Sequence, residues 1–348
     1  MKKRLCLICA GLISLMLAGC GQKQKTLTSF DVQYLDYFDT FTTVTIYAED
    51  KAQFDGYAQL VKSELQYYHQ VFDIYNSYEG VNNLKTVNDN AGIAPVTVDQ
   101  DVLDMLEFSL QEYELTDGKV NVAMGSVLSI WHDYREMAKA NPEHAQVPDM
   151  DMLLKAAEHT DIHRMEIDKE ASTVYLPDKD MKLDVGAIAK GYAAQRISEK
   201  LREAGVTSAL LSLGGNVETI GAKGDGKPWR VGIQNPDPSG GQSYLHALDL
   251  TDMCLVTSGT YQRYYEADGV RYHHIINPDT LMPWDEYLSV TILCRGSAKA
   301  DALSTAVFNM NLEEGKALIE SLEDTEALWI LPDGSEVESS GLKEFMEV

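Results

Sequence analysis

Lys182-Leu183-Asp184-Val185-Gly186-Ala187-Ile188-Ala189-Lys190-Gly191-Tyr192 carries an apolar strand end directly into a helix, with glycines at 186 and 191. Gly186 to Gly191 has the length of a phosphate-loop core, but Tyr192 follows where that loop needs a lysine and then a hydroxyl residue. No G-x-G-x-x-G follows a strand elsewhere, so both glycine signatures of doubly wound nucleotide folds are missing. Strands and helices are interspersed without a strict β-α-β rhythm, which predicts an α+β fold of mixed sheets with packed helices. G-x-S-x-G and H-E-x-x-H are also absent, which sets aside lipase-type serine hydrolysis and zinc proteolysis.

Working outward, Ile188 to Ala204 has the pattern of a helix stopped by Gly205, and Ala209 to Leu213 that of a buried strand running into Gly214-Gly215. Upstream, Met165 to Leu176 reads as a two-stranded hairpin, and Pro142 to Pro148 as a polar loop suited to a boundary between lobes. Thr40 to Tyr47 is a strand by its threonine, valine and aromatic content. Gln53 to Val71 and Asp101 to Leu115 are helices by apolar period. Beyond Trp229 short strands dominate until two helices, Ala298 to Met310 and Leu312 to Leu322.

The N-terminus gives an address. Lys2-Lys3-Arg4, an apolar run from Leu5 to Leu17, and Leu17-Ala18-Gly19-Cys20 form a charged region, a hydrophobic region and a lipoprotein cleavage site. The run is shorter than the ~20 residues needed to cross a bilayer. Residues 1–19 are read as signal peptide, 20–30 as a tether lipidated at Cys20, and 31–348 as one folded domain beginning near Phe30. That places the protein on the extracytoplasmic face of the cell membrane, outer surface or periplasm, held through lipid on Cys20. Forty-five per cent hydrophobic residues in 348 suffice for a sizeable core. Removing the three signal basic residues takes the net charge from −25 to −28, which argues against nucleic acid as a partner. Of five cysteines, Cys6 and Cys9 leave with the signal. Cys254 and Cys294 remain in apolar strands, as buried thiols or as a disulfide.

Four segments concentrate polar groups at element ends. In the first, Asp184 falls where a helix cap would, and Lys190 lies in the first turns, ready for an anion at the positive helix end. The second is Leu211-Ser212-Leu213-Gly214-Gly215-Asn216. The third joins Thr257-Ser258-Gly259 to His273-His274-Ile275-Ile276-Asn277-Pro278, where a His-His pair in a strand can send only one ring into a site. In the fourth, Asp301, Ser304 and Thr305 share one helix face, and their oxygens suit a hard cation such as Mg²⁺. His159 and His163 stand four apart among Glu158, Asp161 and Arg164, the composition of a solvated helical face, and no metal is assigned there.

Together these segments resemble the ApbE family, the FAD:protein FMN transferases, over almost the whole mature chain. Gly226 to Pro236, Leu213-Gly214-Gly215-Asn216, Thr257-Ser258-Gly259, His274 to Pro278 and Ala300 to Ala306 occur in the family's order and approximate spacing. The resemblance implies a two-lobed, T-fold-like catalytic domain that takes FAD as substrate, uses Mg²⁺, and attaches FMN through a phosphoester to a threonine or serine. The implied acceptors are FMN-accepting subunits of membrane redox complexes. It also implies Asp301 and Thr305 with the Ala187 carbonyl as metal ligands, and Asp301 or His274 as the group that takes the acceptor's proton. Phe38, Tyr75, Lys119, Val120, Asn121, Asp184, Lys190 and Ile276 match positions that contact FAD. The chain departs from the family at Phe38-Asp39-Thr40 (usually Met-Gly-Thr), at Val120-Asn121-Val122-Ala123, at Asn277 (usually Asp) and at Leu281 (usually Gly). Two other readings use the same motifs: a hydrolase giving FMN and AMP, and a flavin-holding lipoprotein without turnover.

Overall fold

The computed structural model describes residues 27–237, 239 and 241–346, so the signal segment and Cys20 lie outside the described residues. The first half of the chain runs β1 (Thr28–Tyr37), β2 (Thr40–Ala48), α1 (Lys51–Val71), α2 (Leu84–Asp89), β3 (Val96–Thr97), α3 (Gln100–Leu115), α4 (Gly125–Ala140), α5 (Met150–Ala157), β4 (Glu166–Asp168) and β5 (Thr173–Tyr175). The second half runs α6 (Ala189–Glu203), β6 (Ala209–Leu213), β7 (Asn216–Ile220), β8 (Trp229–Gln234), β9 (Tyr244–Leu250), β10 (Cys254–Gly259), β11 (Tyr264–Ala267), β12 (Val270–His273), β13 (Ser289–Cys294), α7 (Ser297–Phe308), α8 (Leu312–Ser321), β14 (Glu326–Ile330) and β15 (Glu336–Glu338). The fold is α+β, as the interspersed pattern implies.

An eight-stranded antiparallel sheet, in the order β1-β2-β6-β7-β10-β13-β14-β15, forms the spine. Helices α1, α6 and α7 cover one face. The β8–β9 ribbon packs on the other through Trp229, Val231, Ile233, Leu248 and Leu250. All six residues of β13 are buried because both its faces are covered. Val290, Ile292 and Cys294 turn toward the helices, while Leu293 turns toward the ribbon. A smaller third core gathers α4, α5, β11 and β12 around Trp131, Leu153, Tyr265 and Leu281, forming the second lobe.

Several expectations need correcting. β1 begins at Thr28, inside the span read as tether, because Phe30, Val32 and Tyr34 already alternate onto the core beneath α1. Residues 142–148 join α4 to α5, which pack on each other, so that loop lies within one lobe. His159 follows the end of α5 and His163 sits in a 3₁₀ turn at Ile162–Arg164, so they do not share a helical face. Cys254 and Cys294, by contrast, are the buried free thiols their apolar strands imply, although they are paired in register. The ladder explains this. Thr260 N bonds Leu288 O, and counting back by twos makes 254/294 a hydrogen-bonded pair, the type with its side chains held farther apart than a disulfide tolerates.

Helices α6 and α7 meet closely at Gly191, where a Cβ would meet Ser297 O at 2.3 Å and Asp301 Cβ at 2.5 Å. This close approach of α6 to α7 brings Lys190 and Asp301 together.

Candidate active site

A cleft of about 500 Å³ opens between the sheet's strand ends and the smaller lobe. Every candidate site residue within the described part of the chain lines it, from Phe38, Tyr75, Lys119, Val120 and Asn121 through Asp184, Ala187 and Lys190 to His274, Ile276, Asp301 and Thr305.

One end is built on α7. Asp301 is only 4% exposed, and its Oδ2 accepts from Gly191 N at 2.8 Å and faces Lys190 Nζ at 3.5 Å. Lys190 Nζ also reaches Gly186 O at 3.3 Å, in the turn that includes Ala187. Thr305 lies one turn beyond Asp301 on the same face. Ser304 does not join them. Its hydroxyl bonds Ser258 Oγ at 2.8 Å and Asp301 O at 2.9 Å, pinning α7 to β10. Asp184 does not cap α6 either, which starts only at Ala189. Its Oδ1 accepts from Gly186 N at 2.9 Å and shapes the turn. Burial raises the Asp184 pKa against that hydrogen bond and the fields of His132, Arg135 and Arg263.

His274 and His273 part ways as alternation requires. His273 is buried, with Nε2 on Trp284 O at 2.8 Å and Nδ1 accepting from Ile275 N at 3.2 Å. His274 opens to the cleft with Nδ1 3.2 Å from Arg263 O, the arrangement of a ring whose proton sits on Nδ1 and whose lone pair is on Nε2. The surrounding wall, then Arg263, His273, Lys190 and Arg135, hold its pKa below the ordinary histidine value.

The other end is aromatic. Asp73 accepts from Tyr75 N at 2.6 Å and Asn76 N at 3.0 Å and so fixes the backbone of Tyr75, whose ring stacks on His132 with centroids 5.1 Å apart. Arg135 Nη2 lies 2.9 Å from His132 Nδ1. Phe38 and Asp39 adopt φ of 56° and 50° in the β1–β2 turn, and Phe38 N donates to His69 Nδ1 at 3.2 Å. Lys119 pairs with Asp279. Both ends of the Asn121 amide are used by Thr160 O and Ala123 N, so that side chain is structural and the residue offers the cleft mainly its backbone. Asn277 accepts from Asp279 N and Thr280 N and donates from Nδ2 to Asn309 O at 2.9 Å, a donation an ionised aspartate cannot make.

His132, Arg135 and Arg263 were not singled out from the sequence. The first two ride on α4, whose N-terminus lacks a side-chain cap to announce it. A second acidic cluster, His159 with Asp178 and Asp180, is already neutralised by Arg164 at 2.7 Å and Lys179 at 2.9 Å.

The sequence model of the ApbE family matches residues 38–329. A FAD:protein FMN transferase of Treponema pallidum is 37% identical over 279 residues, covering 76% of this chain and 75% of its own. The chain belongs to the ApbE family. A second relative, the FAD:protein FMN transferase of Klebsiella pneumoniae, is 31% identical over 286 residues, covering 82% of this chain and 84% of its own. Among solved structures, the ApbE protein of Thermotoga maritima superposes with a TM-score of 0.81 at 27% identity, covering 92% of this chain and 100% of its own. The flavin transferase ApbE of Vibrio cholerae, at 24% identity and a TM-score of 0.77, shares the ApbE fold.

Proposed function

We propose that this chain moves FMN from FAD to a threonine or serine hydroxyl of a partner redox protein, forming a phosphoester and releasing AMP. The observation that carries this is the union, in one cleft, of the Asp301–Lys190–Gly191 cluster with the Tyr75–His132 aromatic wall, suited to a phosphate at one end and a planar ring at the other.

Asp301, Thr305 and the Ala187 carbonyl are oxygen donors of the kind magnesium prefers, and the Asp301 oxygen not bonded to Gly191 takes no hydrogen bond from the described residues. Magnesium, when bound there, supplies positive charge to the phosphate oxygens. Gly191 N fixes the Asp301 carboxylate, and the Lys190 ammonium adds a cation for the pyrophosphate in a strongly acidic chain. His274, neutral with its lone pair on Nε2, takes the proton of the acceptor hydroxyl as that oxygen bonds to phosphorus and the pyrophosphate bridge breaks toward AMP. The acceptor is a subunit of a membrane redox complex, and lipid on Cys20 keeps the enzyme at the extracytoplasmic membrane face beside it.

AMP release from FAD, followed with and without an acceptor domain, tests the reading. AMP in step with acceptor consumed is expected, whereas steady AMP without acceptor would make the protein a hydrolase. For the anchor, Cys20→Ala is expected to move the protein from the membrane fraction to the soluble one.

A further inference from the structure

Asn216 sits at the start of β7, immediately after the Gly214-Gly215 turn, and lines the cleft. It is 3% exposed, and its Nδ2 has no hydrogen-bond partner. Buried amide donors are nearly always paired, and an unpaired one in a ligand cleft marks a bond that forms only when the ligand arrives. The turn before it explains the burial. Gly214 has φ of 59°, and a Cβ there would meet Thr40 Oγ1 at 2.4 Å, so the β1–β2 turn closes directly over this corner and keeps water out.

The ladder says which end of the cleft the amide serves. Cys254 pairs with Glu218 and Leu255 with Val217, so the register brings Asn216 beside Val256, next to Thr257 and Ser258. Ser258 Oγ bonds Ser304 Oγ at 2.8 Å, and Ser304 precedes Thr305 on α7. Asn216 therefore belongs with Asp301 and Thr305, away from the Tyr75–His132 wall. Asn309 Oδ1 is a second buried orphan in the cleft, but an acceptor is unsuited to an anion.

The geometry points to Asn216 as a direct hydrogen-bond donor to a phosphate oxygen of the dinucleotide at the reacting end of the cleft. This rests on the flavin-transferase reading of the same site. A neutral amide fits the role: once turned toward the cleft it meets an oxygen whose negative charge is greatest as the pyrophosphate bridge breaks, and its NH₂ gives up no protein partner in doing so.

Binding of FAD, ADP and riboflavin to the purified protein, with and without Mg²⁺, separates the phosphate contact from the ring contact. Asn216→Ala is expected to weaken FAD and ADP by about tenfold each, the scale of one hydrogen bond to a charged group, and to leave riboflavin within about twofold. Asn216→Asp is expected to weaken FAD and ADP further, since it brings a carboxylate to an anion. The ligand-free Asn216→Ala protein is expected to melt no lower than wild type, because the donor it removes is unpaired. Unchanged ADP affinity, an equal loss of riboflavin, or a lower melting point would each overturn the assignment. Wild-type protein that binds neither FAD nor ADP would instead overturn the flavin-transferase reading beneath it.

Discussion

At Asp301 one oxygen is locked by Gly191 N, and the other takes no hydrogen bond from the described residues. Asp301→Asn keeps the size and one oxygen but removes the charge, so transfer is expected to fall by on the order of 10²–10³, with melting close to wild type. Near-normal turnover in that variant would take Asp301 out of the site. Gly191→Ala puts a methyl into the Ser297 carbonyl and is expected to cost about 1–3 kcal/mol of stability, measured by denaturant unfolding. His274 has a depressed pKa, so its neutral form persists below the usual histidine range. The acid limb of kcat/KM against pH is therefore expected below the ordinary histidine value of about 6.5, and His274→Gln should lower kcat by about 10²–10⁴. An acid limb near pH 6.5 would show that His274 is not the base. The site residues were legible in the sequence where a motif named them. Ser304 was not, because helical spacing alone does not reveal that β10 claims its hydroxyl. Leu281 sits at φ of 60°, a backbone region natural to the glycine expected there, while its side chain joins the smaller core.

Across β7, β10 and β13, Glu218, Cys254 and Cys294 form one row beneath the helices. Burial pushes the Glu218 carboxyl up to about 8, and that of Glu112 on α3 to about 7. Both values are raised, so the protonated form is the one that suits the fold. Below about pH 4.5 the two groups are protonated folded or unfolded. As pH rises toward 8 the unfolded chain ionises first and the native state loses stability, by roughly 3–5 kcal/mol for Glu218. Glu218→Gln cannot ionise, so its melting temperature is expected to fall less than wild type's between pH 5 and 8.5. Parallel curves would show that Glu218 is not held neutral. Elements with strong local signals were legible: α1, α3, α6, α7 and β2 lie within a few residues of their apolar patterns. Helices α4 and α5 were missed, one uncapped and the other only eight residues long. Strand order was not legible, since β2 pairs with β6 more than 160 residues away and nothing local encodes that register.

The whole molecule is strongly acidic, yet Lys190, Arg135 and Arg263 share one cleft with Asp39, Asp73, Asp184 and Asp301, so the negative charge of the rest of the chain is locally offset where FAD is proposed to bind. The larger lobe gives that cleft Asp301 and Lys190, and the smaller lobe gives it His132 and Arg135. The antiparallel sheet between its helices and the β8–β9 ribbon holds the first set in place. None of the helices among the described residues is long and apolar enough to cross a membrane. The most direct measurement is the intact mass of a candidate acceptor domain after incubation with the enzyme, FAD and Mg²⁺. A gain equal to FMN less water, abolished by a chelator and absent with Asp301→Asn, is the expected result. An acceptor of unchanged mass, with FAD either split to FMN and AMP or left intact, would contradict transfer.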